Sequence, residues 1–105
     1  MSRTPGIIFL LDGATATGAG DSVRARYPAT FQAAGLVSAS TGAVSVDVQV
    51  SNNGRNWLTL GTITLALTTS ESSDGFASDA PWAFVRGNVT SISGTGAAVS
   101  LLMAG

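Results

Sequence analysis

The chain lacks cysteine, histidine and lysine altogether, and these absences narrow the chemistry that it can perform. Without cysteine there is no disulfide framework, no thiolate metal site and no thiol nucleophile. Without histidine or lysine, a serine hydroxyl has neither of its usual general bases to activate it. The residue types therefore argue against nucleophilic catalysis, and we expect a protein that is not an enzyme.

Charge of either sign is also scarce. Arginine accounts for all 5 cations and Asp plus Glu number 6, so 10% of the 105 residues are charged, where about 25% is usual. A net charge of −1 without a cluster of cations does not suit nucleic acid, whose binding depends on displaced counterions. A surface with few charges can be buried against another protein without a large desolvation cost. We expect a protein partner and no nucleic acid.

Long apolar segments are missing as well. No stretch approaches the roughly 20 apolar residues of a membrane span, so no membrane partner is expected. The apolar run at 7–11 is shorter than the core of a signal peptide and ends at Asp12, so we expect no cleaved leader. We interpret 6–11 as a buried first strand, and 1–12 as a candidate interaction strand or arm.

The sequence does contain regular alternation between apolar and polar residues. Alternation is clearest over 44–51, where four valines alternate with polar residues, as in a half-buried strand. Asn53-Gly54 follows and suits a type I′ turn. We therefore predict a hairpin that pairs 43–51 with 56–60, with a bulge or bend at Gly61.

Turn residues divide the rest of the chain into further short strands. Strands are predicted at 22–27, 29–34, 82–93 and 97–103, with a break at Pro28, a bend near Gly87 and a tight turn at 94–96. Segment 35–42 is interpreted as a loop or short edge segment, 68–74 as an exposed loop, and 75–81 as the approach to Trp82. Seven to eight short strands predict a single all-β domain over 1–105, a small β-sandwich with a jelly-roll-like form.

The candidate catalytic or metal-binding groups are carboxylates. They are Asp12, Asp21, Asp47, Glu71, Asp74 and Asp79. Acid–base catalysis would require two of them to converge, but several lie beside glycine or proline, where Asp commonly hydrogen-bonds its own backbone. The segments 12–21 and 74–79 could each supply two oxygens to calcium, although neither has EF-hand spacing. We expect no catalytic site, no cofactor and no metal site.

Two tryptophans and three arginines are the other side chains that could bind a ligand. Trp57 and Trp82 would stack on sugar rings if exposed, as in a carbohydrate-binding or host-recognition module. Buried, they would fill or cap the core, which is favoured because of their large apolar area. Arg24 and Arg26 share one strand face and Arg55 lies at the hairpin turn, and their planar guanidinium groups suit carboxylates and protein interfaces.

A family resemblance is carried by four segments that together cover most of the chain. They are "LLDGATATGAGDSV", "YPATFQAAG", "VSVDVQVSNNGRNWLTLGTITL" and "APWAFVRGNVTSISGTGAAVSLLMAG". In this combination they resemble small virion proteins of tailed bacteriophages. The pair Asn53-Gly54 stands where Asp-Gly is commoner, and similar turns occur in jelly-roll domains that bind sugars.

The resemblance implies a non-enzymatic viral structural protein of the virion. Small size and low charge favour a capsid decoration (cement) protein, which would bind the major capsid protein and stabilise the head. A neck, tail, baseplate or fibre component and a carbohydrate-binding module remain as alternatives. A homo-oligomer, with a trimer favoured, would assemble in the host bacterial cytoplasm, and strand 6–11 or segment 12–21 would contact the neighbouring subunit. A surface glycan is a further candidate partner.

Overall fold

A computed structural model describes residues 6–105, in which the chain forms nine β-strands and no helix. The strands are β1 Ile7–Ala14, β2 Gly18–Ala19, β3 Val23–Arg24, β4 Ala29–Leu36, β5 Ala39–Ser51, β6 Leu58–Leu67, β7 Ser72–Ser78, β8 Phe84–Thr95 and β9 Ala98–Ala104. The two-residue strands β2 and β3 both pair with β8, so they are parts of one interrupted strand. The predicted all-β class is therefore confirmed.

The strands form two antiparallel sheets in the order of a jelly roll. One sheet has the order β1-β9-β4-β7, and the other has the order β2-β8-β5-β6 with β3 also paired to β8. The pairs β1–β9 and β4–β7 lie in the first sheet, and the pairs of β8 with β2 and β3 and of β5 with β6 lie in the second. Successive pairs thus alternate between the sheets, as when one long hairpin is rolled into a sandwich. The extents of 40 × 38 × 17 Å agree with two sheets stacked about 10 Å apart.

The hydrophobic core lies between the inner faces of the two sheets. The four alternating valines of β5 are at most 2% exposed, as their spacing predicted. The facing sheet contributes mainly Phe31 from β4 and Leu101 and Met103 from β9. The jelly roll therefore has one core, to which both sheets contribute.

Gly87 serves the packing of the two sheets rather than a bend in β8. A Cβ placed on Gly87 would lie 2.8 Å from Leu101 Cδ2 and 2.9 Å from Leu11 Cγ. The pairing of β8 with β5 is regular at Val48 and Gly87, and the extra residue is Thr90. The irregularity in β8 closest to the predicted bend is thus at Thr90, three residues after Gly87.

The predicted hairpin of β5 and β6 is confirmed, but its limits differ: residues 51, 56 and 57 lie outside the pairs, and β6 pairs as far as Leu67. Residues 42–50 pair with 58–67, and Leu60 is left unpaired beside Gly61, so the predicted bulge is confirmed. The predicted type I′ turn is wrong, because six residues at 52–57 connect the strands. Gly54 has a φ of 70° whereas Asn53 does not have a positive φ, and a type I′ turn needs both.

Side chains, rather than a tight backbone turn, organise the connection at 52–57. The Oδ1 atom of Asn53 accepts the backbone N–H groups of Arg55 and Asn56, each at 2.9 Å. The hydroxyl of Ser51, which is 1% exposed, accepts the N–H of Gly54 at 2.9 Å. Asn and Ser commonly replace backbone turns in this way.

The predicted exposed loop at 68–74 and the following residues contain a strand, β7. It pairs with β4 along its full length, from Ser72 opposite Gly35 to Ser78 opposite Ala29. The prediction was wrong because Phe76 is the single large apolar residue of this segment, so apolar alternation is missing. Its ring packs against Phe31 at a centroid distance of 5.2 Å.

The remaining strand limits differ from the predictions mainly in length. β4 and β5 are separated by two residues only, so the predicted loop at 35–42 is largely strand. The weakly alternating segment 22–27 contains only β3. The tight turn at 94–96 is confirmed, since the N–H of Ala97 donates to the carbonyl of Gly94 at 3.3 Å. Of the candidate arm 1–12, residues 7–12 belong to β1, which pairs with β9, while 1–5 lie outside the described residues. The strand predicted to be buried at 6–11 is buried on one side only, since Ile7 and Phe9 are exposed.

Candidate functional site

The outer face of the β1-β9-β4-β7 sheet carries a cluster of exposed apolar side chains. Ile7 lies opposite Ala104, and Phe9 lies opposite Leu102, which in turn lies opposite Gln32 of β4. Ile7 is 63% exposed and Phe9 is 53% exposed. We call this surface, formed around Ile7, Phe9, Leu102 and Ala104, the apolar face.

The neighbouring strands β4 and β7 of the same sheet contribute almost no charge to the apolar face. The outward positions of β4 and β7 are occupied by Thr, Gln, Ala, Leu, Ser and Gly. Asp12 follows a bulge in β1, beyond the cluster. Asp74 of β7 lies opposite the buried Ala33, so it belongs to the inner side of the sheet. Exposed apolar clusters of this kind mark interaction surfaces in soluble proteins.

The outer face of the second sheet is chemically different, and we call it the polar face. It is formed by Ser45, Asp47 and Gln49 of β5, Thr62 and Thr64 of β6, and Arg86 and Asn88 of β8, with Trp57 at its end. Hydrogen bonds cross between these strands: Thr62 Oγ1 donates to Asp47 Oδ1 at 2.7 Å, and the Ser45 and Thr64 hydroxyls lie 3.2 Å apart. The polar face therefore presents hydroxyl, amide and charged groups.

One cluster on the polar face joins Arg86, Gln49 and Trp57. Arg86 lies opposite Gln49 in the β5–β8 pair, and its Nε donates to Gln49 Oε1 at 2.8 Å. Its guanidinium carbon lies 4.3 Å from the centroid of the Trp57 ring, within the range of a cation–π interaction. Three side chains from two strands and a loop are thus held together.

The two tryptophans have different environments. Trp82 is partly buried and packs against the hydrophobic core, as the favoured interpretation predicted. Trp57 is also partly buried, but it lies on the polar face against Arg86 and is not among the residues packed on the core. Sequence reasoning treated the two residues alike, because nothing in their flanking residues reveals which contacts each one makes.

The carboxylates are distributed over separate elements. Asp12 lies in β1, Asp47 in β5 and Asp74 in β7, whereas Asp21, Glu71 and Asp79 lie in connections. Within residues 6–105 no three of them come together as a metal-binding group. The Asp47 carboxylate accepts hydrogen bonds from threonines of β6, and Asp74 Oδ1 accepts the N–H of Gly75 at 2.8 Å.

The two segments considered for calcium do not form a pair of ligand loops. Segment 12–21 includes the end of β1 and the short strand β2, and segment 74–79 is mostly strand β7. Each aspartate of the second segment is exposed. In each segment one aspartate, Asp12 or Asp74, thus lies in an extended strand rather than in a tightly turning loop of the kind that surrounds calcium.

The arginines outside the polar-face cluster have separate positions. Arg24 lies in β3 opposite Phe84 and is exposed, and Arg55 is exposed in the loop at 52–57. Arg26 Nη1 donates to the carbonyls of Gly6 and Gly105, at 3.1 and 3.2 Å. Arg26 thus joins the beginning of β1 to the end of β9.

Further indications of a ligand site could come from a surface depression within residues 6–105 or from similarity to known proteins. One depression of about 290 Å³ is lined by Thr15, Ile92, Ser93, Gly94, Gly96 and Ala97, which include no ionisable side chain. Residues 6–105 include no helix that could span a membrane. No family model matches the chain, and no curated protein or solved structure matches it significantly. The two outer faces are therefore the candidate functional surfaces.

Proposed function

We propose that the chain is a non-enzymatic structural subunit of a bacteriophage virion, namely a capsid decoration protein that binds the shell of major capsid protein through its apolar face. The observation that carries this proposal is the exposure of Ile7 and Phe9 beside Leu102 and Ala104 on a nearly uncharged sheet surface. Leaving such a cluster in water is unfavourable, and covering it with a partner removes apolar area from solvent.

The dimensions of the sandwich are adequate for a stable interface. Its two larger extents are 40 and 38 Å, and a typical specific interface covers about 800 Å² on each partner. Among the described residues, the positions of the apolar face around Ile7, Phe9, Leu102 and Ala104 are uncharged, so its partner surface should be apolar and uncharged as well.

The class of partner is supported by two further considerations. The sequence resembles small virion proteins of tailed phages, and the jelly-roll order is common among capsid and lectin domains. In this proposal the protein assembles in the bacterial cytoplasm and functions in the virion. Association of its own copies, as a trimer around a symmetry point of the shell, belongs to the same proposal.

The test is incorporation of the full chain into particles of the phage that encodes it. Phe9→Glu and Leu102→Glu should each reduce bound protein at least about tenfold, because a carboxylate would be buried without a partner. Ala66→Glu is the matched control, since Ala66 is exposed on the outer side of β6 in the other sheet. Particle-bound protein is quantified after sedimentation, and circular dichroism verifies the fold of each variant.

The outcomes separate the proposal from its alternatives. Equal incorporation of Phe9→Glu and wild type would refute binding through the apolar face. Incorporation at the tail or neck in a particle reconstruction would replace the decoration role by one of those positions. Point substitutions are preferable to removal of 1–12, because Leu10 and Leu11 of β1 are core residues.

A further inference from the structure

Two contacts orient the side chain of Arg86. Its Nε donates to Gln49 Oε1 at 2.8 Å, and its guanidinium group lies over the Trp57 ring at 4.3 Å. A cation that is already immobilised loses less conformational entropy when it binds a ligand. The arrangement is therefore well suited to recognition of an anionic group.

The other end of the same guanidinium group remains available. Among residues 6–105, the side-chain hydrogen bond of Arg86 involves Nε, so the Nη1 and Nη2 hydrogens point to no protein acceptor. The acidic neighbour on this face, Asp47, accepts from Thr62 Oγ1 at 2.7 Å and from Thr59 Oγ1 at 3.5 Å. Both threonines lie in β6, on the side of β5 away from β8, so Asp47 is directed away from Arg86.

The surroundings of Arg86 favour a sugar over a protein as the source of the anion. Asn88 is the next outward residue of β8, and Ser45 and Thr64 extend a surface of hydroxyl and amide groups. Such groups match sugar hydroxyls, while the partly exposed Trp57 ring offers an apolar surface for a sugar ring. The exposed apolar side chains Ile7 and Phe9 lie on the other sheet, on the apolar face.

We propose that the polar face is a binding site for an acidic saccharide. The sugar carboxylate accepts two hydrogen bonds from Nη1 and Nη2 of Arg86, and the ring lies beside Trp57 with its hydroxyls toward Asn88. Two parallel bonds from one guanidinium group are the usual mode of carboxylate recognition by arginine. This role is independent of binding to the shell, because it uses the opposite side of the sandwich.

The experiment titrates the full chain with 3′-sialyllactose and with a glucuronic acid disaccharide, using lactose as the neutral comparison. Tryptophan fluorescence and calorimetry report binding. Both acidic sugars should bind at least about tenfold more tightly than lactose. Arg86→Lys should lower the affinity for the acidic sugars at least about tenfold, since lysine cannot donate two parallel bonds. Arg55→Lys is the matched control, because Arg55 is exposed in the adjacent loop.

Three results would overturn the proposal: no saturable binding of either acidic sugar, equal binding of lactose, or unchanged affinity in Arg86→Lys. Tighter binding of a glutamate-rich peptide than of both sugars would also overturn it and assign the face to a protein. Arg86→Lys should still enter particles like the wild type. Failure of sugar binding with normal incorporation would therefore leave the decoration role intact.

Discussion

Gly87 of β8 and Leu101 of β9 meet across the sandwich so closely that a Cβ on Gly87 would lie 2.8 Å from Leu101 Cδ2. The same Cβ would lie 2.9 Å from Leu11 Cγ. Leu101 is completely buried and Leu11 nearly so. Neither side chain can move away without displacing other core residues, because protein interiors are close-packed.

Gly87→Ala should therefore destabilise the fold, although alanine lowers the entropy of the unfolded chain. We expect a loss of about 1–3 kcal/mol in the free energy of unfolding, as for other overpacked cores. Urea denaturation measures it. In a Leu101→Ala background the same substitution should cost less, because the contact with Leu101 would be gone and only that with Leu11 would remain. An equal cost in both backgrounds would contradict this packing argument.

Asn53 should be the most sensitive residue of the connection between β5 and β6. Asn53→Ala removes the acceptor of the Arg55 and Asn56 N–H groups and should cost about 1–2 kcal/mol. Asn53→Asp keeps an oxygen at the same position and should change stability by less than about 0.5 kcal/mol. Thermal unfolding of both variants distinguishes them, and similar losses in the two would show that the side-chain oxygen is not what holds the loop.

The sequence allowed the core strands to be predicted but not the strand β7. In β5, four valines at every second position are decisive, because only an extended chain buries all of them on one side. In β7, only Phe76 packs inward among serines and glycine, so local pattern provides no signal. That strand forms because β4 offers a free edge of backbone donors and acceptors, which a distant segment can satisfy.

The polar-face cluster also depends on information that no local pattern contains. Arg86 reaches Gln49 because the β5–β8 register places them opposite each other, although they are 37 positions apart in the chain. Similarly, Asn53-Gly54 indicated a tight turn, but Ser51 and Asn53 stabilise a longer loop with their side chains. The turn preference of Asn53-Gly54 correctly located the connection between β5 and β6. Its length and conformation depend on the side-chain hydrogen bonds.

Arg26 should control the local stability of the edge where β1 begins and β9 ends. Arg26→Met removes the hydrogen bonds to the Gly6 and Gly105 carbonyls but keeps an unbranched side chain in place of the aliphatic part of arginine. We expect faster amide exchange at Gly105, whose N–H donates to Gly6 at 3.2 Å, with little change in global stability. Hydrogen exchange by NMR provides the measurement, with Arg24→Met as the control, and unchanged protection at Gly105 would contradict the assignment.

Asp74 should protect the open edge of β7 against pairing with other chains. It lies opposite Ala33 on the inner side of the sheet, yet it is exposed because β7 is the last strand. Inward charges at sheet edges discourage edge-to-edge association. Asp74→Val removes the charge and adds a residue with high β-propensity, so light scattering on incubation should rise while the monomer remains folded. Asp79→Val, just beyond β7, should scatter like the wild type; equal scattering by Asp74→Val and wild type would show that this charge does not protect the edge.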